Sequence, residues 1–147
     1  MFENIIIQSI DRQRPILEEI SGKIWENPEL GFEEYKASGW VADELERNGF
    51  RVERGVVSIP TAIKASFGQG HPVIGLLGEY DSLPNLSQKT QATREPVKEG
   101  APGHGCGHNL LGVAHMGAAI AIKEALEASG LPGTIIFYGC PAEEGGS

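Results

Sequence analysis

Apolar residues recur at Ile10, Ile16, Leu17, Ile20 and Ile24, close to the spacing of one helix face, and predict a helix over residues 10–27. Pro15 falls early in this run, where a first turn tolerates a missing N–H, so the helix proper is expected to start near Pro15. Asn27-Pro28 ends it. A second helix is expected over residues 33–48, with Trp40, Val41, Leu45 and the ring of Tyr35 as its apolar side and Gly49 closing it. The period then changes. Residues 51–57 read as a short strand, and residues 61–67 alternate apolar with polar, as a half-buried strand does. Residues 72–78 are continuously apolar, which predicts a central strand buried on both faces. With only a Gly-rich turn between them, these last two are expected to pair as a hairpin. Residues 82–103 are polar and broken by Pro and Gly, the signature of a long loop. An Ala-rich helix follows from His108 or Asn109 to Ser129, closed by Gly130 and Pro132; its Gly112 and Gly117 are expected to admit a close neighbour. Residues 133–138 form a further buried strand. Helices interleaved with apolar strands predict an α/β sandwich with a mixed sheet.

The chain has 147 residues, enough for one domain with a real core. Hydrophobic residues make up 40% and charged residues 22%, the balance of a soluble globular protein. A formal net charge of −8 argues against a nucleic-acid surface, which needs clustered Lys and Arg. No apolar run approaches a membrane span, and the opening MFENIIIQSIDRQR has no basic region before its short apolar run, unlike a secretory signal. Two cysteines do not make a disulfide framework, so a cytoplasmic setting is the expectation. The sequence stops at Ser147, directly after EEGG, and is expected to be the front part of a longer polypeptide.

The candidate chemistry lies in two short stretches. GHGCGHN, residues 103–109, places Cys106 and His108 two apart with Gly107 between them, just where a helix is expected to begin. Residues two apart share no helix face, so the pair can meet at one point only in a turn or extended segment, which Gly107 permits. The positive end of the following helix would lower the thiol pKa. The same residues also fit a buried structural cysteine beside a capping histidine. PAEEGG, residues 141–146, places Glu143 and Glu144 at the end of an apolar strand, where ligands bind in open α/β sheets. A bend there could give one carboxylate to a metal and the other to its water; a solvated acidic turn fits as well. Asp81, in GEYDSLP, could accept a hydrogen bond from a metal-bound histidine. Glu79, two residues earlier, reads as a turn-forming acid at a strand end. His104 is placed to touch the site, His71 lies in the expected hairpin turn, and His115 packs within the last helix. A Cys106–Cys140 bridge would make the same segment purely structural.

NPELGFEE (residues 27–34), GEYDSLP (78–84), GHGCGHNLLG (103–112) and PAEEGG (141–146), in that order, resemble the aminoacylase and carboxypeptidase G superfamily of metallopeptidases, and within it the amidohydrolase branch. The resemblance implies a zinc-exopeptidase-like three-layer sandwich, of which this chain is the N-terminal portion. It implies Cys106, His108 and Glu144 as metal ligands, Glu143 as general base and Asp81 as the carboxylate orienting a ligand. Elsewhere in the superfamily a histidine ligand stands at the position of Glu79, which is not assigned to the metal here. The implied cofactor is a divalent metal, Zn or Mn, with two ions in the full-length enzyme and further histidine ligands downstream. The implied substrate is the amide of an N-acyl or N-aroyl amino acid such as p-aminobenzoyl-glutamate, or a small dipeptide. A lid or dimerisation domain is expected outside residues 1–147, making the full-length protein a homodimer or hetero-oligomer. Alternatively, the chain is a catalytically incomplete fragment or non-catalytic subunit.

Overall fold

The structure, a computed structural model, describes residues 2–145. Three helices and four strands follow in the order α1 (Phe2–Glu26), α2 (Tyr35–Arg47), β1 (Arg51–Arg54), β2 (Ile63–Gln69), β3 (Val73–Glu79), α3 (His108–Ser129) and β4 (Gly133–Cys140). Single 3₁₀ turns cover Val56–Ser58 and Glu143–Gly145. The sheet is mixed, in the order β1-β2-β4-β3: β1 with β2 and β2 with β4 are antiparallel, and β3 with β4 is parallel.

The expected hairpin between residues 61–67 and 72–78 does not form. β4 inserts between the two strands, pairing Phe67 with Ile135 on one side and Ile74 with Ile135 on the other. The connection at residues 70–72 is pinned to the start of β4 instead, since the Thr134 hydroxyl donates to Gly70 O at 2.9 Å and the Thr134 N–H to Pro72 O at 2.9 Å. β4 therefore takes the central place expected of residues 72–78. Among the described residues β3 lies at the sheet edge, with Val73, Ile74 and Leu77 exposed. A continuous apolar run records burial demand but not which neighbour meets it.

α1 also departs from expectation. It runs straight through Pro15 from Phe2, rather than starting near Pro15. Its upstream turns are anchored by polar residues that an apolar count overlooks: Ser9 and Gln13 are buried, and the Gln13 amide donates to the Ser9 hydroxyl at 2.8 Å and to Gly117 O at 3.4 Å. On α2, Tyr35 is exposed, and the buried face is Ala37, Val41, Ala42 and Leu45. β1 is shorter than expected, stopping at Arg54 before a left-handed Gly55.

The helices and the inner sheet face share one core built on Ile24, Val41, Leu45, Met116, Ile120, Ile135 and Phe137. Burying a side chain the size of Phe137 contributes about 1.5–3 kcal/mol. α3 lies close against β3, because a Cβ on Gly112 would stand 2.3 Å from Glu79 O. Gly117 does the same for α1, where a Cβ would meet Leu17 at 2.9 Å. This close seating sets the start of α3 beside the end of β3.

Candidate metal centre

β3 and β4 run parallel, so their carboxyl ends lie at one edge, with Glu79 opposite Cys140. α3 is the crossover between them and runs back against both, which brings its N-terminus to that same edge. Gly107, at φ 87°, caps α3 in the left-handed region and lets residues 103–107 fold over the strand ends.

Asp81 organises the site. One oxygen of its buried carboxylate, Oδ1, lies 2.8 Å from His108 Nδ1, and Oδ2 accepts the Glu144 N–H at 2.9 Å. A carboxylate acceptor keeps the imidazole hydrogen on Nδ1, which leaves a lone pair on Nε2. A single carboxylate thus fixes both a ring and a backbone segment 63 residues away. A donor atom each from Cys106, His108 and Glu144 lie within 4.8 Å of one another. Glu143 Oε2 stands 3.6 Å from His108 Nε2, on a side chain about half exposed. Glu144 Oε1 is buried and has no hydrogen-bond partner among the described residues.

The arrangement bears on each alternative left open by the sequence. Cys106 is exposed, not a buried structural residue, and both cysteines are free, so the Cys106–Cys140 bridge is not made. The helix N-terminus does not bring the Cys106 thiol down as expected. Desolvation raises it first, and the carboxylates of Glu144, Glu143 and Asp81 raise it further. Negative charge so close outweighs the helix end. His104 is buried behind the site, with Nε2 3.2 Å from Ile24 O; loss of hydration pushes its pKa down, towards the neutral ring. His71 sits in an exposed connection rather than a hairpin turn, and His115 is half-buried in α3. Glu79 stands apart from the three-donor cluster, beside Cys140, with Oε2 buried and unpartnered among the described residues. Gly146, the last glycine of PAEEGG, lies outside the described residues.

Two acids in NPELGFEE take structural parts that sequence reasoning left unassigned. Glu29 accepts the N–H groups of Lys36 and Ala37 at 3.0 Å and so caps α2. Glu34 is fully buried, and its Oε1 accepts the Ala142 N–H at 2.8 Å. No local pattern announces the second contact, because its partner lies 108 residues further on.

No family model matches the chain. Individual relatives do. Over 138 residues the chain is 54% identical to a p-aminobenzoyl-glutamate hydrolase subunit of Escherichia coli, covering 93% of this chain and 28% of that protein. Along nearly its whole length the chain is similar to the amidohydrolase branch of the aminoacylase and carboxypeptidase G superfamily. Another relative in this branch, an IAA-amino acid hydrolase of Arabidopsis thaliana, is 36% identical over 131 residues, covering 87% of this chain and 28% of that protein. The fold agrees: a dinuclear metal-binding peptidase of the M20 family from Bacillus subtilis superposes with a TM-score of 0.75 at 24% identity, over 91% of this chain and 36% of that one. The chain thus spans 28% of the length of each of these two curated relatives. Among the described residues no helix is long and apolar enough to cross a membrane.

Proposed function

We propose that this chain is the N-terminal part of the catalytic domain of a metal-dependent amidohydrolase. Its substrates are N-acyl or N-aroyl amino acids, p-aminobenzoyl-glutamate among them, and its lid or dimerisation domain belongs to a longer polypeptide. The observation that carries this reading is the convergence of Cys106, His108 and Glu144 at the end of β4, with His108 already turned by Asp81 so that Nε2 is bare.

The donors fit a divalent cation. A thiolate, an imidazole nitrogen and a carboxylate oxygen make a three-ligand set that leaves a position open, as catalytic zinc requires. The buried, unpartnered Glu144 Oε1 is an acceptor awaiting a charge. The soft sulfur favours zinc, while a second, oxygen-rich site would accept manganese. Bound here, such a cation supplies a Lewis acid and lowers the pKa of a water towards about 7.

The side chains do the rest. Asp81 holds the His108 ring and the Glu144 backbone, so neither reorganises during turnover. Glu143 Oε2, at the open side of the cluster, takes a proton from the attacking water and later returns it to the leaving amine. Cys106 gives up its proton on ligation, and because its thiol sits above the ordinary range, metal affinity falls as pH falls.

The test uses the full-length polypeptide with p-aminobenzoyl-glutamate as substrate. Glu143→Gln should keep its metal content and lose nearly all turnover; near-normal activity removes the base assignment. Cys106→Ala and His108→Ala should each lower the bound metal, and unchanged metal in both would reject the ligand set.

A further inference from the structure

Glu34 is a carboxylate with no exposed surface, yet no lysine, arginine or histidine pairs with it among the described residues. Its Oε1 accepts two backbone N–H groups, from Phe32 at 3.0 Å and from Ala142 at 2.8 Å. Its Oε2 has no partner among the described residues. Its charge is felt by the buried Tyr80 hydroxyl, which burial and then Glu34 push above its usual range.

What Glu34 holds is unusual. Ala142 is 1% exposed and has φ 59°, in the left-handed region that an L side chain seldom occupies. It is the residue directly before Glu143 and Glu144. Its Cβ is accommodated only because residue 31 is glycine: a Cβ there would stand 2.9 Å from the Ala142 Cβ. A strained turn of this kind persists where its surroundings over-determine it. Here the surroundings are a charge-assisted hydrogen bond from one side and a missing side chain from the other.

We propose that Glu34 is a positioning residue: by accepting the Ala142 N–H it fixes the left-handed turn that aims Glu143 and Glu144 at His108 and Cys106. This rests on the proposed hydrolase reading and deepens it. Asp81 holds the same turn further on, through the Glu144 N–H, so two buried carboxylates grip the acid pair from opposite ends of the turn. Misplacing a reacting group by about 1 Å can cost 100-fold in rate. The grip therefore matters to turnover even though Glu34 touches no reacting atom.

The experiment uses the metal-loaded full-length enzyme and steady-state kinetics with p-aminobenzoyl-glutamate. Glu34→Ala removes the carboxylate acceptor from both N–H groups and should lower kcat about 10–100-fold, with KM within about twofold. Glu34→Gln keeps an oxygen at the accepting position and should recover most of that loss. Gly31→Ala leaves Glu34 intact but drives a methyl into Ala142; it should lower kcat in the same way, and adding Ala142→Gly should restore part of it. A kcat near the parent value in both Glu34→Ala and Gly31→Ala overturns the proposal. So does a Glu34→Gln enzyme as impaired as Glu34→Ala, since a retained acceptor would then be of no use. Should Glu34→Ala fail to fold, the Gly31→Ala pair decides alone: full activity overturns the proposal, and loss with partial rescue supports it. Glu143→Gln measured alongside separates the two readings. If the parent enzyme leaves p-aminobenzoyl-glutamate uncut, the hydrolase reading falls; if Glu143→Gln stays active, the assignment of Glu143 as base falls; if Glu143→Gln is dead while Gly31→Ala and Glu34→Ala are active, only the role of Glu34 falls.

Discussion

At one end of the sheet the connections into β3 and β4 are exposed, and their left-handed positions at Gly68, Gly70 and Gly130 all belong to glycine. At the other end, Asp81, Ser82, His108 and Ala142 are buried, and the left-handed position after β4 falls on Ala142. There Glu34, Glu79 and Glu144 each keep a carboxylate oxygen buried and unpartnered among the described residues. The first end sets its turns with the residue type that fits, and its long-range hydrogen bonds, from Thr134 to Gly70 and Pro72, use no buried carboxylate. The second is held by hydrogen bonds spanning 27, 63 and 108 residues, through His108, Glu144 and Ala142. Strain and unmet polar groups gather where a fold is shaped for something besides stability.

The contrast breaks most sharply at Glu143. Glu143→Gln should cost about 10²–10⁴ in kcat, the range for a positioned acid–base, while thermal stability stays unchanged because the side chain is half exposed. Kinetics and melting on one preparation check both halves. Next comes the cation. Adding Zn²⁺ at about a hundred times its Kd to metal-free full-length protein should stabilise it by about 2.7 kcal/mol, and Cys106→Ala should abolish that gain. Stabilisation unaffected by the substitution would locate the ion elsewhere. Asp81→Asn should be milder, about 10–100-fold in metal affinity or activity, since it disturbs how His108 is held without removing a ligand. Isothermal titration with Zn²⁺ reads it directly.

Where a signal was local, the sequence was a good guide. The bounds of α3 were legible because Gly107, Gly130 and Pro132 punctuate an Ala-rich run, and the close seating of Gly112 was legible because glycine inside a helix needs a reason. The meeting of Cys106, His108 and Glu144 came from the four motifs taken together as a family pattern, not from any one of them. What was hidden was pairing at a distance. The sequence neighbours β2 and β3 look like a hairpin, and nothing in either says that residues 133–140 will slide between them. The length of α1 was hidden for another reason, since Ser9 and Gln13 bury polar side chains against α3 and an apolar count skips them. Glu34 was hidden by both causes, being polar, buried and paired with residue 142.

The smallest effect belongs to the far end of the sheet and sharpens the contrast by its specificity. Gly130 has φ 64°, and a Cβ there would meet nothing within 4 Å. Gly130→Ala therefore adds only the backbone cost of a left-handed L residue, about 1–2 kcal/mol, partly offset by a stiffer unfolded chain worth about 0.4–1 kcal/mol. The net loss is about 1 kcal/mol, a drop of about 2–4 °C in Tm for a protein of 150–250 residues and less for a longer one. kcat and KM should not move, because the turn closes α3 at the end opposite to His108. The alanine this substitution creates would have nearly the backbone angle that Ala142 already has, yet without a buried carboxylate to hold it. If Gly130→Ala lowered kcat as well as Tm, the two ends would be mechanically coupled through α3, and the left-handed turn at Ala142 could no longer be treated as a device of the site alone.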